Sequence, residues 1–192
     1  SDWSSDVCSS DLNHFLIAMP SLDDENFGGS LVFVAEHNEQ GALGLVINRT
    51  MEIDLATLFR RIDLDLGSAS LGQTSVMYGG PVHTDRGFVL HHPVGQWGST
   101  VAVSDEIGLT SSRDVLEAVA AGNGPSRMLV MLGYAGWGPG QLEEEISRNA
   151  WLTVEADASL IFETPADERL QRAFALLGIN PAFLDRKSTR LN

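Results

Sequence analysis

The sequence predicts an α+β protein, a mixed β-sheet core with several short helices packed compactly, and three observations carry that expectation. Strand-like and helix-like segments alternate irregularly, with several direct strand-to-strand returns that a regular doubly wound fold lacks. Hydrophobic residues make up 43% and charged residues 20% of the chain, the balance of a folded globule, which excludes disorder, collagen and a disulfide scaffold. At 192 residues the chain can bury roughly 70% of the surface that its unfolded form exposes, enough for a sizeable core.

The elements follow in order. Phe15–Met19 is a short apolar run stopped by Pro20. Leu31–Ala35 reads as a buried strand without a polar face and Gly41–Ile47 as its neighbour, joined by the polar loop Glu36–Gln40. Leu55, Leu58, Phe59 and Ile62 fall at i, i+3, i+4, i+7, which predicts a helix over Asp54–Arg61 with Asp54 as N-cap. Leu64–Gln73 reads as loop, and strands resume at Ser75–Tyr78, Gly87–His91 and Thr100–Val103. Thr110 or Ser111 is placed to cap a helix running to about Ala121, with Asp114 in a capping box and Gly122 as its stop. Arg127–Leu132 is a fully apolar strand, followed by a glycine-rich turn and a helix from Pro139 to about Arg148, with proline at the first position. Trp151–Val154 and Leu160–Phe162 read as strands. Thr164, Pro165 and Gly178 bracket a last helix with Leu170, Ala173, Phe174 and Leu177 on one face. The expected core is Leu31, Phe33, Leu45, Ile47, Leu129, Met131, Trp151, Phe174 and Leu177.

The two ends stand outside this pattern. Asp2–Asp11 and Asp185–Asn192 can be written in codons that are reverse complements over their overlap, as read-through of a common sequencing adapter would be. Residues 1–12 and 185–192 are therefore expected to be non-native tails around a domain spanning 13–184. Setting them aside takes four acids (Asp2, Asp6, Asp11, Asp185) and three bases (Arg186, Lys187, Arg190) from totals of 26 and 12, leaving 22 acids and nine bases, all arginine. Cys8 goes too, so thiol catalysis, a disulfide and a cysteine zinc site are ruled out for 13–184. An acidic balance of this size opposes a phosphate-binding surface. No apolar run approaches the ~18–20 residues of a membrane span, and no signal or transit pattern is visible, so a cytoplasmic location is expected.

Few residues arrange themselves for chemistry. Gly133–Gly140 lies where a glycine-rich turn feeds a helix, but its order fits neither phosphate-binding fingerprint and no lysine follows. Glu143, Glu144 and Glu145 already answer that helix dipole, so the segment is expected to be a tight turn packing Trp137 and Tyr134. His91 and His92 are adjacent and point to opposite faces of a strand; with no H-x-x-x-H spacing among the five histidines, neither a metal nor any other cofactor is expected. Gly-x-Ser-x-Gly is absent, and Ser111-Ser112 are explained by helix capping. Two turns set an arginine beside an aspartate, Asp85-Arg86 and Arg113-Asp114. They are the candidate ligand-binding residues, able to hold an anion bidentately, although such pairs more often tie loops to the body of a fold.

The phrases Asn13-His-Phe-Leu-Ile-Ala-Met-Pro20, Glu36-His-Asn38, Gly41-Ala-Leu-Gly-Leu-Val-Ile-Asn48, Gly79-Gly-Pro81, Asp85-Arg-Gly-Phe-Val-Leu90, Ser111-Ser-Arg-Asp-Val-Leu-Glu117, Leu132-Gly-Tyr-Ala135, Gly140-Gln-Leu-Glu-Glu-Glu-Ile146 and Asn149-Ala-Trp-Leu-Thr153 occur in order over 13–184. Together they strongly resemble the YqgE/AlgH family of bacterial proteins. The resemblance implies a cytoplasmic bacterial α+β protein without an established activity and without agreed catalytic residues. It also implies native termini that extend beyond both ends of the matching segment. One family member carries the label of a transcriptional regulator, a genetic association that supplies no DNA-reading motif.

Three functions follow, in order. The first is a non-enzymatic regulatory or protein-interaction role with a protein partner still to be named, since no catalytic constellation stands out and aromatic turns suit partner contacts. The second is a small-molecule binder or enzyme that grips an anionic ligand through the Arg86 and Arg113 turns. The third is transcriptional regulation by direct nucleic-acid contact, which the negative charge opposes. No membrane contact is expected.

Overall fold

A computed structural model describes residues 14–19, 29–67 and 69–177. The strands and helices run as β1 (His14–Ala18), β2 (Leu31–Asn38), β3 (Gly41–Val46), β4 (Thr50–Asp54), α1 (Leu55–Arg61), α2 (Ala69–Gly72), β5 (Ser75–Tyr78), β6 (Val82–His92), β7 (Thr100–Ala102), β8 (Gly108–Thr110), α3 (Arg113–Ala120), β9 (Arg127–Trp137), α4 (Gln141–Ser147), β10 (Trp151–Glu155) and α5 (Ala158–Glu163). A 3-10 turn at Ala166–Glu168 then leads into α6 (Arg169–Leu176). The α+β class read from the sequence is the class observed. The segments 1–12 and 185–192, together with Gly178, lie outside the described residues.

The chain divides into two units, Ser1–Asn48 with Ala135–Asn192, and Arg49–Tyr134. In the first, five antiparallel strands follow the order β10-β1-β2-β3-β9, with β9 contributing Ala135–Trp137. Its central strands are apolar on both faces because both faces are covered. Leu16, Ala18, Val32, Val34, Val46, Ala135, Trp137 and Trp151 cluster with Leu142 of α4. The alternate residues Phe15, Ile17, Leu31, Phe33 and Leu45 are equally buried, and α6 packs on β1 and β2. The polar loop expected at Glu36–Gln40 shrinks to Glu39-Gln40: β2 continues to Asn38, with His37 opposite Ala42 and buried 3.2 Å from Glu143. Above this sheet, the indole N–H groups of Trp137 and Trp151 donate to the same oxygen of Glu145, at 3.0 and 2.9 Å, while Gln141 donates to the other at 3.0 Å.

In the second unit the strand order is β4-β5-β9-β6-β8-β7, mixed because β5 runs parallel to β9 and every other pair is antiparallel. Leu55, Leu58 and Phe59 of α1 and Val115 and Val119 of α3 pack on Val76, Val89 and Val130 of this sheet. Asp54 caps α1 as expected, accepting the Thr57 N–H at 2.9 Å.

Several elements correct the sequence reading. Strands β4 and β8 and the one-turn helix α2 were not expected, and β6 begins at Val82 rather than Gly87. The predicted glycine-rich turn is strand as far as Trp137, leaving only Gly138–Gly140 as turn. Pro139 stays outside α4, because Gly140 takes the N-cap with φ +75°. Leu160–Phe162 is helical, started by Asp157 accepting the Ser159 N–H at 3.0 Å. Thr164 ends that helix rather than capping the next. Of the nine expected core residues, Leu129 and Leu177 are half-buried and the others buried.

Candidate functional site

Helix α3 begins at Ser112, its N-cap, whose hydroxyl makes no cap bond to the helix. The hydroxyl faces the preceding loop instead, accepting the Ser99 N–H at 3.0 Å and donating to Asp114. The other oxygen of Asp114 accepts the Gly98 N–H at 2.7 Å. Those bonds, the Ser112 hydroxyl first and the Gly98 amide second, hold the Asp114 carboxyl below the usual carboxylate value. The capping box expected at Thr110 or Ser111 is thus replaced by a clasp between loop and helix, and Asp114 is spent on structure.

Arg113 opens the same helix. One guanidinium nitrogen donates to the Ile62 carbonyl at 2.6 Å, and Nε meets Glu117 at 3.3 Å. Ile62 is the C-cap of α1, so the cation answers the negative end of that helix. Asp85 and Arg86 lie on β6, where the Arg86 guanidinium sits 5.4 Å from the centre of the Phe88 ring. Asp85 and Arg113 share one cavity of about 210 Å³, lined also by Leu58, Leu116, Val130 and Thr110. Its floor is core side chains; the exposed Asp85 and Arg113 stand at its mouth. Of the four residues singled out from the sequence, two therefore line one cavity, while Arg86 and Asp114 have other partners.

Behind the cavity wall lies a polar chain that the sequence did not reveal. His91 is wholly buried; its Nδ1 stands 2.8 Å from the Pro93 carbonyl and its Nε2 2.7 Å from the Thr110 hydroxyl. That hydroxyl is 2.7 Å from the Thr100 hydroxyl, which donates to the Trp97 carbonyl at 2.8 Å. The Trp97 ring meets the imidazole edge-on at 5.0 Å. A hydroxyl beside an oriented imidazole resembles an activated nucleophile, but Thr110, though part of the cavity's lining, is 0% exposed and its hydroxyl is engaged by His91 and Thr100. The only hint in the sequence was a histidine ending an otherwise apolar strand. Among the described residues no group of three or more His, Cys, Asp or Glu side chains is placed to hold a metal, and no helix is long and apolar enough to cross a membrane.

Comparisons with known proteins agree with one another. The family profile described as AlgH-like (DUF179) matches residues 15–182. A UPF0301 protein of Ralstonia pickettii is 59% identical over 172 residues, covering 90% of each chain, and one of Cupriavidus metallidurans is 58% identical over the same share. The solution structure of the AlgH protein from Pseudomonas aeruginosa superposes with a TM-score of 0.77 at 48% identity, over 90% of this chain and 92% of that one. A crystal structure from Corynebacterium diphtheriae, 20% identical, shares the fold with a TM-score of 0.63 over 83% and 85%.

Proposed function

We propose that this chain, which belongs to the AlgH-like family, is a non-catalytic regulatory protein whose cavity between β6 and α3 receives one anchor side chain of a protein partner. The observation that carries this reading is the cavity's size and lining. At about 210 Å³ it falls short of the ~300–1,000 Å³ usual for small-molecule sites, and suits a single large side chain. The apolar floor of Leu58, Val89 and Val130 supports the apolar part of such an anchor. At the mouth, Asp85 favours a cationic neighbour on the partner and Arg113 an anionic one. The pre-set charges give the partner an orientation rather than a reaction.

The test is affinity capture from a bacterial cytoplasmic lysate, the compartment in which this reading puts the chain. Leu116→Trp fills the cavity from a half-buried position. The native chain is expected to retain a partner that the variant binds roughly 30-fold more weakly, the loss typical of a blocked anchor pocket. Melting curves check that the variant stays folded. Identical capture by both chains overturns the reading. So does a native chain that captures nothing but melts higher with a small anion, a shift abolished by Arg113→Ala; that outcome restores the ligand-binding alternative.

A further inference from the structure

The chain of polar contacts behind the cavity has a countable number of protons. Carbonyl oxygens of Pro93 and Trp97, which only accept, close its two ends. Between them, His91, Thr110 and Thr100 are joined in four contacts of 2.8, 2.7, 2.7 and 2.8 Å. Four contacts require four protons. Each hydroxyl supplies one and a neutral imidazole one more, which leaves one contact empty. An imidazolium supplies two, and then all four fill in sequence. Nδ1–H donates to Pro93, Nε2–H to Thr110, the Thr110 hydroxyl to Thr100 and the Thr100 hydroxyl to Trp97.

We propose that this chain is a proton-operated latch on the cavity wall, complete only when His91 carries both ring protons, and that its closure fixes Thr110 and the adjoining Ser111–Arg113 segment. Among the described residues no ionised side chain helps the proton in. Strand β8 faces His91 with Gly108 and carries no ionisable group in Gly108–Thr110; β9 sets Met128 opposite. His92 and its register partner Arg127 fall on the alternate face. Strand β7 brings only Thr100–Ala102, while Asp105 and Glu106 in the turn beyond it are exposed. The loop carrying Trp97 reaches a charge at Gly98, whose N–H meets Asp114. Burial opposes the imidazolium and the Pro93 carbonyl favours it, burial being the larger, so the proton enters below the ordinary histidine value of 6.5. The latch is open near neutral pH and closes in acid. Because the unfolded chain takes the proton first, global stability falls as the pH drops below 6.5 and levels off once the latch has closed.

Titration of the native chain with ¹⁵N-labelled histidine, read by NMR, tests the count. The neutral form should be the Nδ1–H tautomer, and acid should add a slowly exchanging proton at Nε2. The decisive variant is Thr100→Val, which removes a hydroxyl that does not touch the ring. Two contacts then remain, a neutral imidazole and Thr110 fill both, and the His91 midpoint should fall by about one pH unit. Thr100→Ser should restore it. An unchanged midpoint in Thr100→Val, or a neutral Nε2–H tautomer, overturns the latch. Amide signals of Ser111–Arg113 that ignore the His91 titration overturn its link to the cavity. Only control over a partner rests on the cavity reading, and these measurements on the free chain succeed or fail independently of the capture experiment.

Discussion

Arg169 and Phe174 lie five residues apart on α6, and both turn inward. The guanidinium donates to the Thr164 carbonyl at 2.9 Å and to the Ile47 carbonyl at 2.6 Å, and burial lowers its pKa to about 10, still fully charged at neutral pH. Phe174 fills the same side of the sheet from beside Ala173, with both residues buried. Phe174→Ala should cost roughly 3–5 kcal/mol in urea denaturation, the range for a core aromatic. A loss below about 1 kcal/mol would show that α6 contributes little to the core. The Ala173–Phe174 stripe was legible from its spacing, but Arg169 was not. The pattern invited a helix starting at Pro165, whereas a 3-10 turn intervenes and brings the arginine onto the buried face. No periodicity rule counts an arginine as core; the carbonyls of Thr164 and Ile47 that it reaches show why it can be buried.

At the scale of elements, β9 shows what glycine conceals from a sequence reader. Gly133 has φ +82°, and a Cβ there would lie 2.3 Å from the Gly80 carbonyl oxygen; a Cβ on Gly79 would lie equally close to the carbonyl of Gly133. These glycines let backbones approach within the sheet, yet the same letters ordinarily mark a turn, and the reading of 133–137 failed for that reason. Gly122 provides the control, with φ +85° and open space around its missing Cβ. Gly122→Ala should cost about 1–2 kcal/mol, the left-handed penalty alone. Gly133→Ala should lower the melting temperature well beyond that, because a backbone carbonyl must also move. Equal effects from the two substitutions would show that the close approach carries no energy. Leu160–Phe162 failed differently. Three apolar residues fit a strand as well as a helix, and the deciding signal was the cap at Asp157. The candidate site was half legible: Asp85 and Arg113 stood out as charged turns, while His91, Thr110 and Thr100 meet only through strand register.

For the whole molecule, the formal charge of −14 sets how it meets other macromolecules. We expect no specific binding to duplex DNA, since basic proteins already bind non-specifically at only about 10⁻⁴–10⁻⁶ M and this surface repels phosphate. Labelled promoter fragments titrated at about 150 mM salt against competitor DNA provide the check. A dissociation constant near about 10⁻⁸ M that survives competition would contradict it. The mixed sheet of 49–134 and the antiparallel sheet of the other unit were foreseen only as one α+β class, because division into units is a property of contacts that no local pattern states. The tryptophans fall on both sides of that division. Trp137 and Trp151 share the Glu145 oxygen in one unit, and Trp97 lies edge-on to His91 in the other. Each of these two sites is a built-in optical label. Red-edge excitation, which selects indole over phenol, of the triple variant Trp3→Phe/Trp137→Phe/Trp151→Phe leaves Trp97 as the one emitting ring of the chain, and a protonated imidazole beside an indole dims its fluorescence. The brightness of that one ring becomes a direct meter of the charge on its neighbour, readable in a cuvette.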